Sequence, residues 1–404
     1  MWPATLCFIL GTLYLSRAQS SNTAISKQSA DAVDNFSVNL FKAVFNNNGG
    51  NAVVSPVSVS TLLAIIQQGS GGNTLAQLTQ VLYLNQEQSK ETYGQLTRNL
   101  KDSSGNATLE FANAAFVEEG YPIKPEFSRV MVQDFQSSVL TAQFSEPVEA
   151  AAEINSWVAN HTHDKIQELI SPKSLDSSTR LVLVNAIFFK GFWKTLFWKN
   201  RTTNDAFFTK PYTSKLVPTM HLETKLLTGD LEDLDARWLQ LPFEGDQYYL
   251  LIILPNKIDG VDSVVNSITG SEFSDLLDNL DSRGWNRTVV LSLPKFKLET
   301  TLQLIPTLKE IGLTDIFSPG ANLSGISGES LYVSEVVQKA EIEVDEEGAT
   351  AVAATAVIGV RIPDAIGNPS PVVFTVDHPF LAFLVEEHDK IPLFASRVID
   401  PTTS

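Results

Sequence analysis

The chain has 404 residues, 43% of them hydrophobic and 19% charged, with a formal net charge of −17. Such a composition supports a large buried core and lacks the low-hydrophobicity signature of disorder. So acidic a surface repels phosphate backbones and anionic lipid, which argues against nucleic acid and membrane as partners.

At the amino end, Leu6 to Leu15 is apolar but too short to span a bilayer, and it runs into Ser16-Arg17-Ala18, small residues where a signal peptidase reads. Residues 1–18 are therefore expected to be a signal peptide, although no Lys or Arg precedes the apolar stretch. The one cysteine, Cys7, falls inside it, so a mature chain of residues 19–404 holds neither disulfide nor thiol and relies on its core. Six Asn-x-Ser/Thr sequons, at Asn35, Asn106, Asn160, Asn200, Asn286 and Asn322, are candidate glycosylation sites that fit export to the extracellular space. No other apolar run reaches about 18 residues, so no transmembrane helix is expected.

From Ser29 to Phe45 the apolar residues Val33, Phe36, Leu40, Phe41 and Val44 recur at helical spacing, and Asn46-Asn47-Asn48-Gly49-Gly50 ends the helix. Ala52-Val53-Val54 reads as a short strand. Ser55-Pro56 then opens a helix, with Ser as N-cap and Pro at the first helical position, and Val59, Leu62, Leu63 and Ile66 form its buried face up to the break at Gly69–Gly72. The spacing of Trp157, Val158, Ile166 and Leu169 predicts a helix over Ile154 to Ile170. Leu181 to Phe189 and Tyr248 to Leu254 read as buried strands, and strands dominate from Val289 onward. There is no long linker, charge block or repeat, so the chain reads as one mixed α/β (α+β) domain.

Enzymatic signatures are absent. The chain has no G-x-S-x-G elbow, no P-loop and no dinucleotide fingerprint, and the mature chain has no cysteine nucleophile. None of His161, His163, His221, His378 and His388 stands in a metal-binding spacing, so no catalytic residue, metal or cofactor is implied.

The most unusual stretch runs from Val344 to Pro371. Acidic Asp345, Glu346 and Glu347 precede Gly348, and the twelve residues from Ala349 to Val360 carry no charge, no proline and no aromatic side chain. Arg361 follows, then a loop-like tail with Pro363, Gly367, Asn368, Pro369 and Pro371. Alone, the uncharged run is a strand or a buried helix. Next to an arginine and a loop-like tail, it suggests a segment that lives as a loop yet is composed to become a central strand.

Here the chain resembles the serpin family, and the likeness extends from about Phe36 to Pro401. It is carried in order by NAVVSPVSVSTLL (Asn51 to Leu63), INSWVANHT (Ile154 to Thr162), VNAIFFKGFW (Val184 to Trp193), VPTM (Val217 to Met220), LPKFKLE (Leu293 to Glu299), GLTDIF (Gly312 to Phe317) and DHPFLAFL (Asp377 to Leu384). The resemblance implies a serpin fold with a large central β-sheet, two smaller sheets, surrounding helices and an exposed reactive-centre loop over about residues 348–371. It also implies a suicide inhibitor: the loop is cleaved, an acyl-enzyme forms, and the cut segment inserts into the central sheet before water can release the protease. The hinge would comprise Glu346, Glu347, Gly348, Ala349, Ala351, Ala353 and Thr355. The family usually has Thr or Ser where this chain has Ala349.

By the same resemblance Ser55, Ser58, Asn185 and Gln338 form the polar cluster that governs sheet opening, with Gln338 standing where the family commonly has His, and Lys295 pairs with Glu346. The commonest family spacing puts the reactive bond after Ile362, but Pro363 would follow it, a poor leaving side because proline restricts its neighbour and lacks an N–H. A loop shorter by one residue puts the bond at Arg361–Ile362, the favoured assignment. It implies a trypsin-like extracellular serine protease as covalent partner, whereas Ile362 as bait would imply an elastase-like one. Basic clusters that bind sulfated polysaccharide often lie on a helix that would fall near Gln86 to Lys101, where Lys90, Arg98 and Lys101 are offset by Glu87 and Glu91, so heparin activation is not expected. A monomer is expected. The alternative reading is a non-inhibitory serpin with a carrier, storage or chaperone role; the small uncharged hinge favours inhibition, and the export signal argues against cysteine proteases as targets.

Overall fold

The computed structural model describes residues 23–102, 107–346 and 370–403. The first helix, α1 (Lys27–Asn47), starts at Ser26, whose hydroxyl accepts from the Ser29 amide, and Val33, Phe36, Leu40, Phe41 and Val44 are all buried along it. β1 (Ala52–Val54) leads into α2 (Pro56–Gln68), which is buried from Pro56 to Gln67, its polar members Ser58, Ser60, Thr61 and Gln67 included. Next come α3 (Gly72–Leu82), α4 (Gln86–Asp102), β2 (Thr108–Glu118), α5 (Pro125–Gln133), β3 (Ser138–Ala142) and α6 (Pro147–His161). Strands β4 (Leu181–Lys190), β5 (Thr203–Lys210), β6 (Thr213–Leu231), β7 (Ala236–Pro242) and β8 (Tyr248–Pro255) follow. Short helices α7 (Val261–Ser267), α8 (Gly270–Asp278) and α9 (Leu280–Arg283) precede β9 (Trp285–Pro294), β10 (Phe296–Gln303), α10 (Ile305–Glu310) and β11 (Glu335–Val344). β12 (Val372–Thr375), β13 (Phe380–Glu386) and β14 (Ile391–Val398) close the chain.

One sheet has five strands in the order β10-β11-β4-β2-β3; the other path runs β1-β14-β13-β8-β7-β6-β9-β12, with β5 added on β6. The two smaller sheets of the serpin pattern are thus hydrogen-bonded into one nine-stranded path. β6 makes this possible: its 19 residues pair with β5 at one end, β9 in the middle and β7 at the other end. Phe41 of α1, Phe273 of α8 and Phe383 of β13 interlock on this sheet, with ring centroids 4.8–6.2 Å apart.

The five-stranded sheet is covered on both faces. Leu183, Ile187 and Phe189 of β4 point to the main core with α2, while Val182, Val184 and Ala186 pack under Ile154 and Val158 of α6. Burial on both faces explains the almost unbroken apolar run of β4. The helix predicted over Ile154 to Ile170 is corrected on both sides: α6 begins at Pro147 and stops at His161. His163 and Asp164 have φ of 48° and 58°, a left-handed pair that an α-helix cannot continue through. Ile166, Leu169 and Ile170 are buried by the irregular segment that follows, with the Leu169 and Ile170 amides donating to Asn155 Oδ1.

Candidate functional site: the closed sheet and its hinge

At the centre of the five-stranded sheet β4 and β11 lie side by side and parallel, in register from Glu335↔Val182 to Ile342↔Phe189. Their outer neighbours are antiparallel, β10 on β11 and β2 on β4. A strand returning from the end of β11 between β11 and β4 would be antiparallel to both.

A line of side-chain amides crosses this junction at one level, because Gln338 is opposite Asn185 and Asn185 is opposite Asn113. Gln338 Nε2 donates to Asn185 Oδ1 (2.8 Å), and Asn185 Nδ2 donates to Asn113 Oδ1 (2.7 Å). Gln338 also grips the start of α2: its Oε1 accepts from the Ser55 amide (2.9 Å) and its Nε2 donates to the Ser55 carbonyl (2.9 Å). Ser55, Ser58, Asn185 and Gln338 are inaccessible to solvent, so each of these bonds lacks a competing water. Ser55 occupies the N-cap position but makes no side-chain cap bond; its hydroxyl instead meets that of Ser58 at 2.7 Å. Asn113 is a member that the sequence reading missed. An asparagine in an apolar strand carries no local signal, and only the β2–β4 register places it beside Asn185. Its Nδ2 is buried with no partner among the described residues.

The hinge leaves the top of β11 under three anchors. Lys295 Nζ lies 2.5 Å from Glu346 Oε2, Thr202 donates to Glu346 Oε1 (2.6 Å), and Trp193 Nε1 donates to the Asp345 carbonyl (2.8 Å). Burial pushes the Glu346 carboxyl up, but the Lys295 ammonium and the Thr202 hydroxyl outweigh it and hold the group below its ordinary value, so Glu346 is the charged end of a partly buried ion pair. Thr202 and Trp193 were not singled out from sequence. Glu347, Gly348, Ala349, Ala351, Ala353, Thr355, Arg361 and Ile362 lie outside the described residues, as do the signal segment and Asn106. Asn160, Asn200, Asn286 and Asn322 are exposed. Asn35 differs: its Nδ2 donates to the Asp31 carbonyl (2.7 Å), and a Cβ added to Gly270 would meet its Oδ1 at 2.3 Å, so a sugar there would have to displace the start of α8. Among the described residues no helix is long and apolar enough to cross a membrane, and no group of three or more His, Cys, Asp or Glu could hold a metal ion.

The fold and this junction, a parallel β4–β11 pairing crossed by side-chain amides with an ion pair at the end of β11, place the chain among mixed α/β proteins built on a large mixed sheet. The family model described as serpin (serine protease inhibitor) matches residues 31–401. Iripin-2 of Ixodes ricinus is 36% identical over 386 residues, covering 94% of each chain, and alaserpin of Manduca sexta is 36% identical over 389 residues, covering 95% of this chain and 97% of that one. The crystal structure of Manduca sexta serpin-12 superposes with a TM-score of 0.83 at 33% identity, over 92% of this chain and 99% of that one. The chain belongs to the serpin family.

Proposed function

We propose that this serpin is a secreted trapping inhibitor of trypsin-like serine proteases. The observation that supports this most is the bare parallel pairing of β4 with β11, at the foot of a segment, Ala349 to Val360, whose side chains are nearly all Ala, Thr, Val or Ile. Arg361 fills the acidic primary pocket of the protease. The protease serine oxygen bonds to the Arg361 carbonyl carbon, the bond to the Ile362 nitrogen breaks, and that nitrogen leaves as a free amine. The cut end then withdraws along the sheet with the protease attached.

Insertion exchanges one parallel ladder for two antiparallel ones. The twelve residues span about 40 Å at ~3.3 Å each. On the order of ten ladder hydrogen bonds are gained at ~1 kcal/mol net apiece, about 10 kcal/mol in all. In the inserted strand alternate residues face one way, so Ala351, Ala353, Thr355, Val357 and Gly359 share a face with Ala349; all are small or apolar. On this reading the Gln338–Asn185 bond is the side-chain latch that must open first, and Glu346 with Lys295 holds the pivot. The apolar stretch from Leu6 to Ala18, read as an export signal, supports an extracellular proteolytic cascade as the setting.

The test is to mix the purified mature protein with trypsin and run denaturing gels with mass spectrometry of the released peptide. A stable band at the summed mass, with a peptide starting at Ile362, is the expected result. Cleavage with no stable complex would leave a non-inhibitory serpin. A peptide starting at Pro363 would move the bait to Ile362.

A further inference from the structure

Four neighbouring strands of the nine-stranded path, in the order β8-β7-β6-β9, floor a cavity of about 510 Å³. That is the size of a small-ligand site, commonly ~300–1,000 Å³. The strand registers build the floor. Leu227 of β6 stands opposite both Gln240 of β7 and Asn286 of β9, and Tyr249 of β8 stands opposite Pro242, two residues on from Gln240. Side chains directly opposite, or two apart on one strand, share a face, so these five residues line one surface.

The charges around that floor nearly balance. Lys194 and Asp246 pair with each other (2.6 Å), Glu387 pairs with Lys390, and the remaining lining charges, Lys225 and Asp281, are of opposite sign. Tyr249 Oη is buried with no partner among the described residues, a polar group that the protein itself leaves unused. An amide, a phenol, balanced charges and the apolar Leu227 and Pro242 suit a neutral, hydroxyl-rich ring better than an ion. The floor also carries a means of tethering one. Asn286-Arg287-Thr288 is a glycosylation sequon, and its Asn and Thr lie two apart on β9, on the same face. Asn160, Asn200 and Asn322 do not line this cavity. We propose that an N-linked glycan on Asn286 folds back so that its proximal N-acetylglucosamine units fill the cavity; this rests on the export proposed above. The sugar hydroxyls and acetamide bond to Gln240 and Asp281, and an apolar ring face lies on Leu227 and Pro242. Tethering raises the local sugar concentration to the order of mM, so weak contacts suffice to keep the seat filled. The glycan then acts as a filler that ties four strands together.

The experiment uses the full mature chain secreted from mammalian cells behind a leader of proven function, and in parallel behind its own residues 1–18. Peptide mapping is expected to find Asn286 occupied. Peptide-N-glycosidase is expected to strip that site about tenfold more slowly from native than from unfolded protein, which corresponds to about 1.4 kcal/mol of seating. Gln240→Ala and Asp281→Ala keep the sequon but remove partners of the sugar, and each is expected to speed native release several-fold while leaving release from unfolded protein unchanged. Asn286→Gln is expected to melt about 2 °C below the parent. An unmodified Asn286 overturns the proposal, as does native release unmoved by both lining variants, or an Asn286→Gln protein that melts with the parent. If only the chain behind its own residues 1–18 stays in the cell, the export reading fails instead, and the release rates from the other sample still decide whether the cavity seats the glycan.

Discussion

Asp34 is a carboxyl group sealed inside α1, 2% exposed, and its Oδ1 has no partner among the described residues. Burial pushes its pKa up to about 8, against the smaller opposing pulls of the Ser274 hydroxyl and the Lys27 ammonium. The unfolded chain titrates the same group near 4. Between those values the native state therefore binds a proton that the unfolded state has released, so stability falls as pH rises, by about 1.4 kcal/mol per unit, and levels off above the folded value. Asp34→Asn removes this slope without emptying the site. From pH 5.5 to 7.5 the urea midpoint of the parent should fall relative to the variant by an amount worth about 2–3 kcal/mol; parallel pH profiles would show that Asp34 is not the buried acid described here. Gln338 carries the opposite lesson at the same scale. An amide donates and accepts at once and does not titrate, so the latch between β11, β4 and α2 contains no group whose charge changes between pH 5 and 8.

At the scale of elements, the proposed trapping requires the hinge to change from tether to strand, and its composition is the constraint. A charged side chain at an inward position of an inserted strand is an unpaired charge in the core, a penalty of several kcal/mol. Ala349→Arg should therefore leave cleavage at Arg361–Ile362 intact but stop insertion at its first step, turning inhibitor into substrate. Gels with trypsin should then show cut protein and free enzyme; a stable covalent complex at parental yield would sink the insertion mechanism. Elements of this kind differ in how far sequence exposes them. α1 and β4 were legible because one repeats its apolar residues at helical spacing and the other is buried on both faces. The end of α6 was not, because Ile166, Leu169 and Ile170 keep a helix-like apolar spacing while His163 and Asp164 turn the backbone aside. Ser55 and Asn185 stand in motifs shared with the family, and Gln338 stands where the family commonly has His. Asn113 lies 72 residues from its partner Asn185, and a register between such distant strands is set by the packing of the whole sheet, which no short window of sequence contains.

For the whole molecule, the trapping function proposed above requires the parallel contact of β4 with β11 to be a lower-stability arrangement with a better one within reach of the same chain. On that reading one cut separates the two, since the chain on either side of the loop is fixed, by Lys295 and Thr202 on Glu346 and by the pairing of β12 with β9. Cutting the loop with catalytic amounts of a protease that is not trapped should thus stabilise the protein, the reverse of the usual effect of a nick. About 10 kcal/mol gained over the 386 residues that follow Ala18, with an unfolding entropy of roughly 2 cal/mol/K per residue, corresponds to a rise in melting temperature on the order of 10 °C. Differential scanning calorimetry of cut and uncut protein reads this directly, and cut Ala349→Arg supplies the comparison, because its loop is severed yet barred from the sheet. A cut parent that melts well above both the uncut parent and the cut variant would tie the extra stability to the inserted strand. A cut parent that melts at or below the uncut protein would mean that the sheet does not open, and that the closed pairing of β4 with β11 is the final state of this fold.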